Sequence, residues 1–558
     1  NIWFKVVDKS EVAEAPKTDR PKIAVPDGLD KQQKRDFIVK TLQGLLAQRG
    51  IHPAEGQEQA AVAALRDIEK KEGILNSIRQ LMTDAIIGKK DHDGLPTTLN
   101  AVEKAVIEAR SYRGARSILT ELEMQDPLKY PLWNKLGSSI RNAVEGWGFE
   151  RINVDSPEFM RRLSGLVQSP VTLNNTIEVI ADNASEVSLH RKLILDPSVR
   201  SIHMSNWKIH NDASGKQFLA LLAEKKRLQP DTDIQVIVDG NVAHSDLELE
   251  GLLKTFSAQN QIPVTFWADG GLGMHEKKIV LNGDSAEPEV LVSDRNLGDD
   301  YLSADPSIGW LGTAVLISGP AARVAENNFR RLNNRAAEIP PREGDVAPKH
   351  MALLEGDPNM MAPGSGTETV VEFSDIPGPT NPQNFAKAMT AAIASAKAGR
   401  DIIRIDQGYL MDIPGVGMEL MRAAGRGVEI ELLTNSKGSN DVSTLVGPSL
   451  VFVNKLDRFK NVKARTRVGT TDHRKIGTVT NKKTGEGIAF GGSGNFHGRS
   501  LYYEAETTWV AQGKRTVAQI NNAFGAIFNN DSQSGLLGKV EPLNEYDAFL
   551  YDFLKRAF

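Results

Sequence analysis

Residues 472–506 read DHRKIGTVTNKKTGEGIAFGGSGNFHGRSLYYEAE. His473 and Lys475 are two apart, so on an extended strand they share one face and can serve one site. Gly491-Gly492-Ser493-Gly494-Asn495 then reads as a glycine-rich turn. Its hydroxyl and amide side chains suit a phosphate oxygen. Glu506 follows and completes the set that phosphodiester cleavage calls for: a nucleophile, a cation, neutral donors and an orienting acid. A poorer copy lies upstream, with His275 and Lys277 followed by Ser293-Asp294-Arg295-Asn296.

Around each copy the chain repeats itself. Before His275, Ile177–Ile180 and Leu193–Leu195 read as strands, Ser201–Trp207 as an alternating apolar run, Gly215–Lys226 as a helix and Asp233–Asp239 as a strand. Before His473, Asp401–Asp406 is a strand, Gly415–Gly425 a helix and Val428–Leu433 the next strand. Strand, helix and strand in this order predict βαβ units in a parallel or mixed sheet. Ile202 to His275 spans 73 residues and Ile403 to His473 spans 70, which points to an internal duplication.

The expected organisation is α/β. Residues 1–28, with Pro16, Pro21 and Pro26, read as an extended arm or linker. Residues 29–170 carry apolar residues at helical spacing and read as an all-α N-terminal domain without recognisable chemistry. Residues 171–335 form a first half, 336–378 a Pro- and Gly-rich linker loop, and 379–558 a second half ending in a helix with Phe549, Leu550, Phe553 and Leu554 at helical spacing.

The 558 residues are too many for one core. A net charge of −4 argues against a non-specific nucleic-acid binder. There are no cysteines, which excludes disulfides, Cys-based zinc sites and a thiol nucleophile. No stretch is long and apolar enough for a transmembrane helix. The start at Asn1 reads as processed or trimmed.

The paired motifs resemble those of the phospholipase D superfamily, whose signature is His-x-Lys, then Asp, then a Gly-Ser-x-Asn turn. The resemblance covers roughly residues 172–540. The run Asn296–Tyr301 with Trp310 and Gly319-Pro320, and Asn495-Phe496 with Arg499-Ser500 and Glu506, are similar to the cardiolipin synthase and phosphatidyltransferase branch. It implies two similar α-β-α halves with mixed sheets sharing one site. It implies a phosphodiesterase or phosphatidyltransferase acting on phospholipid head groups through a phosphohistidine. Lys277 and Lys475 would be the phosphate cations and Asn296 and Asn495 the donors. Ser293 and Ser493 stand beside them, with Trp207 and Tyr409 as substrate contacts. His275 would attack, and His473 would protonate the leaving alcohol. No metal or other cofactor is implied.

The chain departs from the pattern in places. The Asp expected after each Lys is Asn282 in the first copy and Thr480 in the second, and the first turn lacks its glycines. Glu506 is read as the orienting acid of His473. The acid expected near Trp310 to orient His275 is missing, with Asp305 as a substitute. The alternatives are a nuclease of the same superfamily, or a lipid-binding protein with a partly decayed site. The expected partner is a phospholipid at a membrane surface, with nucleic acid disfavoured. The expected location is a bacterial envelope, periplasmic or peripheral, or outside the cell.

Overall fold

A computed structural model describes residues 145–539, apart from 268–272, 304, 306–308, 343–344, 346, 377–382, 412–414, 437–438, 440–442, 469, 498–499, 502–503 and 530–536. Most of the expected N-terminal helices and the C-terminal helix lie outside the described residues. Among these residues the chain is mixed α/β, built on one large mixed sheet.

Seven strands come before residue 320: β1 (Thr172–Ile180), β2 (Ser201–Asn206), β3 (Asp233–Asp239), β4 (Val264–Trp267), β5 (Lys277–Leu281), β6 (Glu289–Ser293) and β7 (Ala314–Ser318). Eight follow: β8 (Glu368–Ser374), β9 (Asp401–Gln407), β10 (Glu429–Asn435), β11 (Val462–Arg467), β12 (Lys475–Asn481), β13 (Gly487–Gly492), β14 (Thr507–Gln512) and β15 (Leu537–Lys539). The order is β15-β11-β10-β9-β12-β13-β14-β8-β1-β7-β6-β5-β2-β3-β4. Read outward from the antiparallel β8–β1 seam, both directions give the same sequence of pairings as far as β11 and β4, and β15 adds one further antiparallel strand beyond β11. Strands β2, β3 and β4 are parallel, as are β9, β10 and β11. The other pairings are antiparallel.

Three elements differ from the sequence reading. Helix α1 (Pro157–Val167), assigned to the N-terminal domain, buries Phe159, Met160, Leu163 and Val167 in one cluster with Val371 and Phe373 of β8. Leu193–Leu195 is not a strand but the end of helix α2 (Asn183–Leu195). Asp182 caps that helix by accepting from the Ser185 N–H, and a three-residue apolar run could not reveal the turn structure before it. The stretch 336–378, read as a linker loop, contains β8 at the middle of the sheet. Its Pro and Gly residues lie mostly on either side of that strand.

Helices α3 (Ala213–Leu228), α4 (Pro320–Glu338), α5 (Asn384–Ser395), α6 (Val416–Gly425) and α7 (Lys514–Phe528) cover the sheet. A core cluster unites Val280, Val290, Val315 and Ile317 with Ile476, Ala489, Trp509 and Ala511, together with Ala321 and Ala325 of α4 and Val517 and Ile520 of α7. Strands from both sides of the seam therefore share one buried apolar volume.

Beneath α4, His203 is buried between Glu326 at 2.8 Å and Asp233 at 3.1 Å, and it stacks on Phe329. Burial lowers its pKa, but the bonds to Asp233 and Glu326 outweigh that and raise it to about 9. A raised histidine pKa stabilises the fold below the unfolded value of 6.5, and that stabilisation is lost as pH rises through about 9. We expect the urea midpoint of the wild type to fall across this window by more than that of His203→Gln. Parallel curves would contradict the assignment.

Candidate active site

The two histidines sit on extended segments entering β5 and β12, and each segment is docked on the other side of the seam. The His275 N–H donates to the Ala505 carbonyl (2.9 Å), and the His473 N–H donates to the Leu311 carbonyl (2.8 Å). Parallel bridges join Met274 to Ala505 and Leu311 to Asp472. Polar residues ending the neighbouring strands hold each segment from below. Asp239 accepts from the Met274 N–H (2.7 Å), and Asn435 accepts from the Asp472 N–H (2.8 Å). The alternation of an extended chain puts His275 and Lys277 on one face. It sends Glu276 and Lys278 to the other, where they pair with each other at 3.2 Å.

The docking decides which acid serves which imidazole. Glu506 lies against the Nδ1 of His275, at 2.9 and 3.1 Å. It does not serve His473, contrary to the expectation from sequence, because residue 506 follows Ala505, to which the His275 segment is bonded. Asp305, the offered substitute, is exposed. The two lysines each fold back onto their own segment, and Lys475 Nζ also lies 3.1 Å from the Nδ1 of His473. Lys277 Nζ donates to the His275 carbonyl (2.9 Å), and Lys475 Nζ donates to that of His473 (2.7 Å).

The surroundings of the two rings differ. Trp207 packs edge-on to His275 at 5.2 Å, and Lys277 lies 5.6 Å over the same indole. His473 meets Tyr301 at 5.0 Å and Trp310 at 5.8 Å, and its ring hydrogen-bonds the backbone of Asp294. Burial holds His473 well below its usual pKa, and the neighbouring Lys475, Lys277 and His275 push it in the same direction. Burial also lowers Lys277 to about 7 and raises Glu506 to about 7, each moderated by the other's charge. These mutual effects place His275, His473, both lysines and Glu506 in one electrostatic cluster.

The strand glycines are set by packing. Gly491 and Gly492 belong to β13, not to a turn. Gly492 has φ +149°, and a Cβ there would lie 2.0 Å from the Thr507 carbonyl. Beyond it, Ser493 donates to Glu506 and accepts from the Thr507 N–H at 3.0 Å. Asn296 is fully buried, and neither polar atom of its amide has a partner among the described residues; the same holds for Asn495 Oδ1. Unpartnered buried amides are costly, and such groups are commonly kept for a ligand.

The other expected residues make contacts of their own within the protein. Ser293 accepts from the Arg295 N–H (3.0 Å), and Tyr409 neighbours His497 at 6.0 Å. Asn282 accepts from the Arg200 N–H (2.6 Å), and Thr480 accepts from Asn521 (3.3 Å). Arg499 lies outside the described residues. The sequence reading missed Glu504, which is buried beside His275 and Glu506; the ligand atoms of these three lie within 4.8 Å of one another. That group has metal-ligand types, but Lys277 already supplies a cation facing both carboxylates.

Residues 389–528, about a quarter of the chain, match the family described as "Cardiolipin synthase, PLD-like domain". The likeness to a phospholipase D-like domain is to this stretch of the chain. The crystal structure of phosphatidylserine synthase from Haemophilus influenzae Rd KW20 shares the fold, with TM-score 0.51 and 14% identity over 71% of this chain and 97% of that one. Polyphosphate kinase from Porphyromonas gingivalis aligns with TM-score 0.41 and 15% identity over 68% of this chain and 53% of that one. No curated protein matches the sequence.

Asn296 and Ser493 should respond oppositely to truncation. Ser493→Ala strands the Thr507 N–H and a Glu506 oxygen, and we expect a loss of about 1–3 kcal/mol in urea unfolding. Asn296→Ala removes an unpartnered amide, so its midpoint should stay near that of the wild type. Equal losses would assign Asn296 a structural bond.

Proposed function

We propose that the protein is a phospholipase D-type phosphodiesterase or phosphatidyltransferase acting on phospholipid head groups, with two similar halves sharing one site. The observation that carries this reading is Glu506 on the Nδ1 of His275, within a buried cluster that also holds His473, Lys277 and Lys475. A carboxylate on Nδ1 fixes the proton there and leaves Nε2 as a lone-pair nucleophile.

In the proposed reaction, Nε2 of His275 attacks phosphorus and forms a P–N bond. The P–O bond to the head-group alcohol breaks, and imidazolium at His473 donates its proton to the departing oxygen. Water or a second alcohol then gives a proton to His473 and attacks the phosphohistidine, breaking the P–N bond. The charge that gathers on the non-bridging oxygens is met by Lys277, Lys475, Asn296 and Asn495. The protein surroundings of His473 hold it neutral, and an arriving phosphodiester anion favours its protonation. The proposed setting is a membrane surface of a bacterial envelope, where such lipids lie.

The test uses vesicles of phosphatidylglycerol and phosphatidylethanolamine. We expect phosphatidic acid or cardiolipin with release of head group, and an acid-labile phosphatidyl adduct on His275 in a quenched reaction. His275→Ala should lose both product and adduct. His473→Ala should slow turnover by at least about 100-fold, the usual scale of general acid–base catalysis. Absence of every product with correctly folded wild type would sink the proposal.

A further inference from the structure

The strand pairs on the two sides of the seam can be superposed residue by residue. Ser293 pairs with Ala314 across β6–β7, and Gly492 pairs with Thr508 across β13–β14. One residue further, the Asp294 N–H donates to the Thr313 carbonyl (3.1 Å), as the Ser493 N–H does to that of Thr507 (3.0 Å). The return bonds also match. The Thr507 N–H donates to the Ser493 side chain at 3.0 Å, and the Thr313 N–H donates to the Asp294 carboxylate at 2.9 Å. Asp294 is thus the counterpart of Ser493, and Gly312 is the counterpart of Glu506.

The carboxylate has changed places within this frame. One side carries Ser493 and Glu506; the other carries Asp294 and Gly312. Residue 312 follows Leu311, to which the His473 segment is bonded, so it is where an acid for His473 would stand. A Cβ there would lie 2.5 Å from the Arg295 side chain and 2.6 Å from Asp294 Oδ1. Arg295, the counterpart of Gly494, fills that space and bonds both Glu186 and the Gly312 carbonyl.

We propose that Asp294 is the positioning carboxylate of the His473 side, standing in for the acid that residue 312 lacks. This rests on the reading of the cluster as a phosphate site. Asp294 Oδ2 accepts from the Lys475 N–H (3.1 Å), and the Asp294 backbone bonds the His473 ring. It therefore grips both ends of the His473–Lys475 segment and supplies negative charge there. The groups facing it are Lys475, Lys277, Arg295, Glu186, Asp406 and Arg474. Those facing His473 are Lys475, Lys277 and His275, all of which oppose a proton on it. Asp294 offsets them, so that His473 takes up a proton when an anion binds.

The test reads tungstate binding by calorimetry across the neutral pH range, because this tetrahedral dianion keeps its charge there. Wild-type affinity should weaken toward alkaline pH as His473 and Lys277 lose their protons, and His473→Gln should keep only the part of that limb that belongs to Lys277. Asp294→Asn keeps an acceptor for Thr313 and Lys475 but loses the charge. We expect its limb to move about one pH unit lower, a tenfold loss of affinity on that limb, with an unchanged melting temperature. Asp294→Ser combined with Arg295→Gly, Gly312→Glu and Glu186→Gln rebuilds the other side's arrangement and should return the limb toward its original place. An Asp294→Asn limb that superposes on the wild type would overturn the role of Asp294 and leave the phosphate site standing. No tungstate binding by folded wild type would overturn both.

Discussion

Two reciprocal backbone hydrogen bonds hold the arrangement on which the site depends: His275 to Ala505, and His473 to Leu311. Each lies at the mouth of the sheet, where an extended segment leaves its own strand order and pairs with a segment from across the seam. Buried N–H and C=O groups must be paired, so neither segment can withdraw alone. The position that follows each acceptor, Glu506 on one side and Gly312 on the other, is thereby carried to the other side's histidine. Glu506 reaches His275 for this reason, although 231 residues separate them in the chain.

The cluster that results is expensive to bury. Lys277, Lys475, Glu506 and Asp294 are all nearly inaccessible, and burial shifts Lys277, Glu506 and Asp294 toward their neutral forms. Isolated charges in such a place destabilise by several kcal/mol each, so the opposite signs and backbone donors around them are a condition of folding. The apolar volume shared by strands on both sides of the seam supplies the compensating stability. The unpartnered amide of Asn296 and the lowered pKa of His473 are what a site keeps unsatisfied when a ligand is to complete it.

Much of this architecture was legible in local patterns. The βαβ order came from apolar runs separated by a helical period, and β3 (Asp233–Asp239) has the bounds its apolar run predicts. The His-x-Lys pairs and the asparagines were legible because their spacing recurs. What local patterns could not carry was the crossing of segments between the two sides. Glu506 follows His473 in sequence, so proximity along the chain assigned it to the wrong imidazole. Glu504 was missed for a related reason, since nothing local marks its side chain as facing His275. β8 was hidden because its flanks are rich in Pro and Gly, and its strand pairing is with partners far away in the chain.

The two imidazoles are unequal, and the inequality gives the proposed chemistry a direction. Around His275 stand two carboxylates, Glu506 and Glu504, with the tryptophan edge of Trp207. A ring whose Nδ1 faces a carboxylate has its tautomer fixed and its Nε2 lone pair available. Around His473 stand the rings of Tyr301 and Trp310 and the ammonium of Lys475, with the Asp294 carboxylate bonded to the backbone of the same segment. That ring is easily left neutral and gains a proton only when negative charge arrives beside it. An attacking group needs the first environment, and a proton donor that is recharged at each turnover needs the second. If the roles were exchanged, the attacking ring would be the one that anion binding protonates, and its lone pair would be lost as the substrate entered.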